Sequence, residues 1–126
     1  EVRSVAGTGA DFRTGRRYGD AHDQAVAEGI TRRGGFDHNF PVAGTGLREH
    51  ARLAAPDGTT LVVRGDSPAV QVYGGDHMGR RGIALETQNY PDAPNHPGFP
   101  DSVLRPGQTY RATTQWLVSQ PAEPIG

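Results

Sequence analysis

Glu86 is the residue whose type and setting bear most directly on chemistry. It falls in the run 82–88, where Ala84, Glu86 and Gln88 share one side and Ile83, Leu85 and Thr87 the other. A strand carboxylate is either a solvated charge on the open face of an antiparallel sheet or a rigidly held acid or base; pattern alone favours the first. Asp37, just before His38, reads on pattern as a turn or cap carboxylate bonded to its own backbone. Gln71 shares a strand face with Tyr73. That pairing suits a polar and aromatic lining for a ligand as well as it suits an outward-facing glutamine. Hydrolysis of a glycosidic bond would need a carboxylate pair, Glu86 with Asp92 or Asp37. Asp92 follows Glu86 by six residues, inside a proline-rich loop with no sign of the placement that pair requires.

The five histidines, His22, His38, His50, His77 and His96, show neither His-x-x-x-His nor an acidic residue in metalloprotease register, so no metal site is expected. His22, His50 and His96 are expected at the surface or in loops. His38 is placed to brace Asp37, and His77, just after the Gln71 strand, is not expected to serve as an acid. Cysteine is absent, which removes disulfides, thiolate metal sites and cysteine nucleophiles. All 13 basic residues are arginine, so no lysine is available for Schiff-base chemistry. Gly74-Gly75 fits no phosphate-binding loop and reads as a turn.

The elements that must hold these groups are short strands. A chain of 126 residues has room for one core, and it is lean in apolar residues, at 34% with a mean hydropathy of −0.62. Gly (18) and Pro (10) are abundant, as turns between many short strands require. Net charge is −1, which argues against nucleic acid or an anionic membrane as a partner. Glu1–Val5 shows no signal-peptide pattern and no stretch is apolar enough to cross a bilayer, so a soluble, cytoplasmic protein is expected.

Period-two alternation dominates. Leu47, Ala51 and Leu53 oppose Arg48, His50 and Arg52; the turn Ala55-Pro56-Asp57-Gly58 follows, and the run 59–64 completes a hairpin. Further strands are expected at 69–73, where Val70 and Val72 oppose Gln71 and Tyr73, at 82–88 and at 110–118. In the last of these Tyr110, Ala112, Thr114, Trp116 and Val118 form an apolar face, with Tyr110 and Trp116 expected to pack in the core. A weak helical pattern spans 20–28. The segment 89–100 holds four prolines in twelve residues, and its Tyr90 and Phe99 argue for a packed loop. The tail 120–126 reads as frayed. The whole predicts an all-β, antiparallel β-sandwich.

Four segments resemble the aldose 1-epimerase (galactose mutarotase) family. Gly7-Thr8-Gly9-Ala10-Asp11-Phe12-Arg13 resembles the family's Gly-Thr-Pro-Phe-Asp-Phe-Arg, departing at Gly9 and Ala10. Gly35-Phe36-Asp37-His38-Asn39-Phe40 resembles its Gly-x-Asp-His-Asn-Phe motif, with an aromatic residue or Ile at x. Pro68-Ala69-Val70-Gln71-Val72-Tyr73 is similar to a cleft strand. Leu85-Glu86-Thr87-Gln88-Asn89-Tyr90-Pro91-Asp92-Ala93-Pro94-Asn95, with Phe99-Pro100 and Leu104-Arg105-Pro106-Gly107, resembles its long C-terminal signature.

The resemblance implies that residues 1–126 are the C-terminal portion of a single galactose mutarotase-like supersandwich domain. It implies interconversion of the α and β anomers of aldohexoses such as galactose and glucose, with no cofactor. Glu86 matches the general base, while Asp37 and Gln71 match substrate-binding residues. The acid histidine belongs to N-terminal motifs without counterpart here, which implies a companion chain supplying that half, or a self-partner. The alternatives are a non-catalytic carbohydrate-binding or structural β-sandwich module and a glycoside hydrolase.

Overall fold

The computed structural model describes residues 1–79 and 81–121; most of the tail read as frayed, 122–126, lies outside the described residues. The element order is one helix, α1 (Tyr18–Ala27), then strands β1 (Asp37–Pro41), β2 (Arg48–Ala54), β3 (Thr60–Gly65), β4 (Ala69–Tyr73), β5 (Ala84–Gln88) and β6 (Thr114–Ser119). Two three-stranded sheets form, in the orders β1-β4-β5 and β2-β3-β6. This is the content of the antiparallel β-sandwich that the alternation predicts. The chain divides into two compact units, one made of Glu1–His38 with Val72–Ala84 and the other of Asn39–Gln71 with Leu85–Gly126.

The first unit is organised by α1 and by Phe36, which is 1% exposed. Phe12, Tyr18, His22 and His38 meet the Phe36 ring edge-on, with centroids 5.3, 5.7, 6.2 and 5.8 Å away. Edge-to-face contacts of this kind add to what area burial alone contributes. The helix pattern is weak because only Ala21, His22 and Ala25 are buried, and small residues give little amphipathic signal. Its end is well defined. Gly29 takes φ 71°, the Gly29 N–H donates to Val26 O and the Ile30 N–H to Ala25 O, the paired bonds that close a helix through a left-handed glycine.

The segment before α1 lies directly on the helix. A Cβ at Gly9 would overlap Ala25 N and come within 2.6 Å of Ala21 O, and the Gly9 N–H donates to Glu28 Oε2 at 2.8 Å. Asp11 accepts two bonds from the Arg13 guanidinium, Nε at 2.8 Å and Nη2 at 2.7 Å, one from the Arg13 N–H at 3.3 Å and one from the Gly7 N–H at 3.1 Å. The guanidinium first, then the amide, hold the Asp11 carboxyl well below the usual carboxylate range.

The second unit is built on the β2–β3 hairpin. Its turn closes through Gly58 N–H to Ala55 O and Thr59 N–H to Asp57 Oδ1, with Gly58 at φ 85°. The strands pair antiparallel from Arg48 opposite Gly65 to Ala54 opposite Thr60, with a register shift between Glu49 and Ala51. β3 then pairs antiparallel with β6, Thr60 opposite Ser119 and Gly65 opposite Thr114. Val63 at the centre is fully buried.

The expectation that Tyr110 and Trp116 pack in the core is corrected: they are 66% and 70% exposed. β6 is the outer strand of its sheet, and every residue along it is exposed. The strand expected over 110–118 is also shorter, beginning only at Thr114, where pairing with β3 starts. The proline-rich segment is an ordered loop, as expected, with Tyr90 against Phe99 at 5.0 Å and a short 3-10 turn at Ala93–Asn95.

Two outcomes follow. Gly9→Ala forces a methyl into the backbone of α1 and is expected to cost about 2 kcal/mol, within the usual range for overpacking; urea unfolding measures it, and an unchanged midpoint would contradict the contact. The folded-state depression of Asp11 gives stability that is complete above the unfolded carboxylate value, about pH 4, and is lost as pH falls through the folded value. Asp11→Asn should therefore lose less stability than the unsubstituted protein between about pH 4 and pH 2, read from thermal midpoints across that range.

Candidate active site

The sheet β1-β4-β5 carries all three residues expected at a site. Gln71 lies in β4, the central strand, and is partly buried. Glu86 occupies the middle of the neighbouring strand β5 and is its one exposed residue, between half-buried Leu85 and Thr87. Both belong to the second compact unit. Asp37 is the first residue of β1, exposed, and belongs to the first. The bonds flanking β1 and β4, Gly74 N–H to Phe36 O at 2.7 Å and Val42 N–H to Pro68 O at 2.9 Å, run in antiparallel sense.

Asp37 is fixed through its backbone. Its N–H donates to His38 Nδ1 at 3.1 Å, so the ring proton is assigned to Nε2, which donates to Ile30 O at 3.0 Å. His38 thus braces the Asp37 main chain, as its position beside Asp37 predicts. Both residues line a cleft of about 440 Å³ within the first unit, together with Arg32, Tyr73, Asp76 and His77. The Asp76 carboxylate occupies the space that a side chain at residue 34 would need, so Gly34 is what admits it. Nothing in the local sequence signals Asp76, because Gly74-Gly75 ahead of it reads only as a turn. His77 is held by its backbone N–H, which donates to the Tyr73 hydroxyl at 3.2 Å.

β4 is anchored from the second unit's hairpin. Arg48 donates to four carbonyls: Nε to Ala43 O at 2.8 Å, Nη1 to Gly46 O at 2.9 Å, and Nη2 to Val42 O and Ser67 O at 2.9 Å each. His50 Nε2 donates to the same Ser67 O at 2.8 Å, and its Nδ1 lies 3.1 Å from Arg48 O. Ser67 immediately precedes the strand that carries Gln71. Alternation places Arg48 and His50 on a polar face but carries no hint of this clamp.

The surface or loop position expected for His22 is corrected. It is 5% exposed, on α1, with Nε2 bonded to Arg32 O at 3.1 Å and its ring beside Phe36. Its Nδ1 lies 3.5 Å from Asp23 Oδ1, and a buried ring with its polar atoms engaged packs as a core residue. His50 likewise sits half-buried in a strand, whereas His96 is in the loop, 3.3 Å from Asp92. Asp92 is the one non-glycine residue at positive φ among the described residues, 58°, and its carboxylate also accepts from Asn95 Nδ2. It is engaged within its own loop. Among the described residues no group of three or more His, Cys, Asp or Glu is arranged to hold a metal ion, and no helix is long and apolar enough to cross a membrane.

The family model described as Aldose 1-epimerase matches residues 1–116. The galactose mutarotase of Homo sapiens is 36% identical over 138 residues, covering 94% of this chain and 37% of that protein. The aldose 1-epimerase of Escherichia coli (strain K12) is 33% identical over 133 residues, covering 91% and 38%. That of Mus musculus, named galactose mutarotase, is 38% identical over 100 residues, covering 68% and 29%. The chain belongs to the aldose 1-epimerase family. It spans less than two fifths of the length of these relatives.

The clamp is open to a direct check. Arg48→Met keeps much of the stem and removes all four bonds to carbonyls, and should lower unfolding free energy by about 2 kcal/mol, as for one charge-assisted bond net of hydration. Chemical denaturation reads this, and a loss below about 0.5 kcal/mol, the range of ordinary surface changes, would show the clamp to be incidental.

Proposed function

We propose that this chain carries the base side of an aldose 1-epimerase, as the C-terminal portion of one such domain, with Glu86 as general base and Asp37 and Gln71 binding sugar hydroxyls. The single observation that carries the reading is Glu86 itself. It lies inside the segment matched by the family and is the exposed member of a strand whose neighbouring residues are covered.

In the proposed reaction the Glu86 carboxylate takes the proton of the C1 hydroxyl of a galactose- or glucose-like pyranose while an acid gives a proton to O5. The C1–O5 bond breaks, C1 becomes an aldehyde, and rotation about C1–C2 exposes either face. Closure runs the same transfers backwards: O5 attacks C1 and returns its proton to the conjugate base of the acid, and Glu86 returns a proton to the C1 oxygen. No electrons leave the sugar and no co-reactant is consumed. A positioned base of this kind contributes about 10²–10⁴ in rate. The acid in this reading is a histidine from an N-terminal part of the fold, brought by a companion chain or by a second copy.

The engagement of Asp92 with Asn95 and His96 argues against Asp92 as the second carboxylate that glycoside hydrolysis requires. Polarimetry of α-galactose mutarotation, on the chain alone and mixed with an N-terminal fragment of a relative, tests the proposal. Turnover above the spontaneous rate is expected in the mixture, and Glu86→Gln should lower it by about 100-fold or more while galactose affinity stays within a few-fold. No acceleration in either preparation would reject the enzyme, and release of the aglycone from aryl glycosides would point to a hydrolase.

A further inference from the structure

We infer that Thr87 is a positioning residue for Glu86, seated by Thr114 and Gly65 so that β5 presents its carboxylate at a fixed height. The inference rests on Glu86 acting as the base.

β5 is an outer strand: among the described strands it pairs only with β4. A strand held by hydrogen bonds along one edge retains freedom to twist and to tilt about that edge. Its catalytic member therefore needs a second constraint if it is to keep the geometry that proton transfer demands. Thr87 supplies one at the adjacent residue. Side chains alternate along a strand, so Thr87 points away from the face that Glu86 occupies. Its hydroxyl shares a 2.6 Å hydrogen bond with the Thr114 hydroxyl, at the start of β6. Its methyl lies against Gly65, where a Cβ would come within 3.0 Å of Thr87 Cγ2.

Gly65 and Thr114 are themselves cross-strand partners, so one rung of the β3–β6 ladder forms both halves of the seat. The two γ substituents of a threonine leave the same Cβ at a fixed angle. Holding both of them fixes χ1 and, through it, the backbone of β5. His50 closes the same space at Gly65, its Cε1 standing 3.2 Å from where a Cβ would be. His50 is tied to Ser67 O at 2.8 Å. The seat is therefore backed by the clamp that anchors β4. Its residue requirements are narrow: a hydroxyl and a methyl at 87, a hydroxyl at 114 and no side chain at 65.

The test is steady-state mutarotation kinetics with galactose, on the full chain in the preparation that turns over, for Thr87→Val, Thr87→Ser, Thr114→Val and Gly65→Ala. Thermal midpoints are measured alongside, and Glu86→Gln serves as control. Thr87→Val and Thr114→Val each remove the same hydrogen bond with little change of shape. Each should lower kcat about 10-fold or more with KM within about twofold, since a displaced base weakens the transition state and not substrate binding. The double variant should be no worse than either single one. Thr87→Ser keeps the hydroxyl but loses the methyl that meets Gly65, so its kcat should fall between that of the unsubstituted protein and that of Thr87→Val. Gly65→Ala should act like Thr87→Val.

Unchanged kcat in Thr87→Val and Gly65→Ala beside a disabled Glu86→Gln would overturn the inference and leave the proposed function standing. A fall in kcat that tracks the thermal midpoint in all variants, with KM rising in step, would assign Thr87 a purely structural role. Turnover that survives Glu86→Gln, or that is absent from the unsubstituted protein, would remove the base and this inference with it.

Discussion

Within the second unit, the Ser67 carbonyl is the point that ties β2 to the start of β4. It accepts from Arg48 Nη2 and from His50 Nε2, and the chain passes from it directly into β4. A carbonyl with two lone pairs can take both bonds, and neither donor is spent elsewhere on a mobile partner. The same Nη2 also donates to Val42 O, and Arg48 uses Nε on Ala43 and Nη1 on Gly46, so the segment leaving β1 is bound by the same guanidinium. The planar fork of arginine suits this; a lysine, with one small ammonium group, cannot span carbonyls arranged around it. The end of β1 and the start of β4 are thus joined by a charged side chain from β2 as well as by the sheet's own bonds.

His50 reaches the same carbonyl because the β2–β3 register shifts between Glu49 and Ala51. An extra residue in one strand of a pair re-aims its side chain. Strict alternation from Leu47 to Leu53 puts Arg48 and His50 together on an outward polar face, and that expectation is right about their kinship and wrong about their direction. They face backbone, not water. Nothing in residue types marks a bulge at His50, since the device is a matter of pairing with β3. The limit is general: a strand pattern reports which residues share a face, while the partner strand decides what that face meets.

The same distinction governs what else was legible. The hairpin turn at 55–58 was readable because Pro56 and Gly58 answer to backbone angles that a turn imposes locally. The core of the first unit was not, because Ala21, His22 and Ala25 bury themselves without an apolar stripe, and its centre, Phe36, gathers rings from residues 12 to 38. Trp116 fails for the opposite reason. Its alternation with Gln115 and Leu117 is a sound strand signal, but burial depends on what lies over the strand, and β6 is exposed throughout. Glu86, Asp37 and Gln71 were legible only through the motifs around them. As isolated residues each had an ordinary explanation.

Gly9 and Ala10 depart from the Pro-Phe of the family-like segment, and the structure gives that departure a physical account. The main chain at Gly9 lies so close to Ala21 and Ala25 that no Cβ fits between them. Ala10, 4% exposed, fills its site with a single methyl. Small residues on the helix, Ala21 and Ala25, and small residues on the approaching segment are therefore one solution: a close backbone contact that forgoes side-chain area. Bringing backbone this near its neighbour would strand polar groups if they had no partner. Glu28 accepts the Gly9 N–H and Arg13 engages Asp11, so the contact is satisfied along its length. The aromatic packing of the unit is gathered at Phe36, around which Phe12, Tyr18, His22 and His38 close. The ring that packs on Phe36 is also the ring that accepts the Asp37 N–H, so one imidazole joins the first unit's core to the main chain of Asp37.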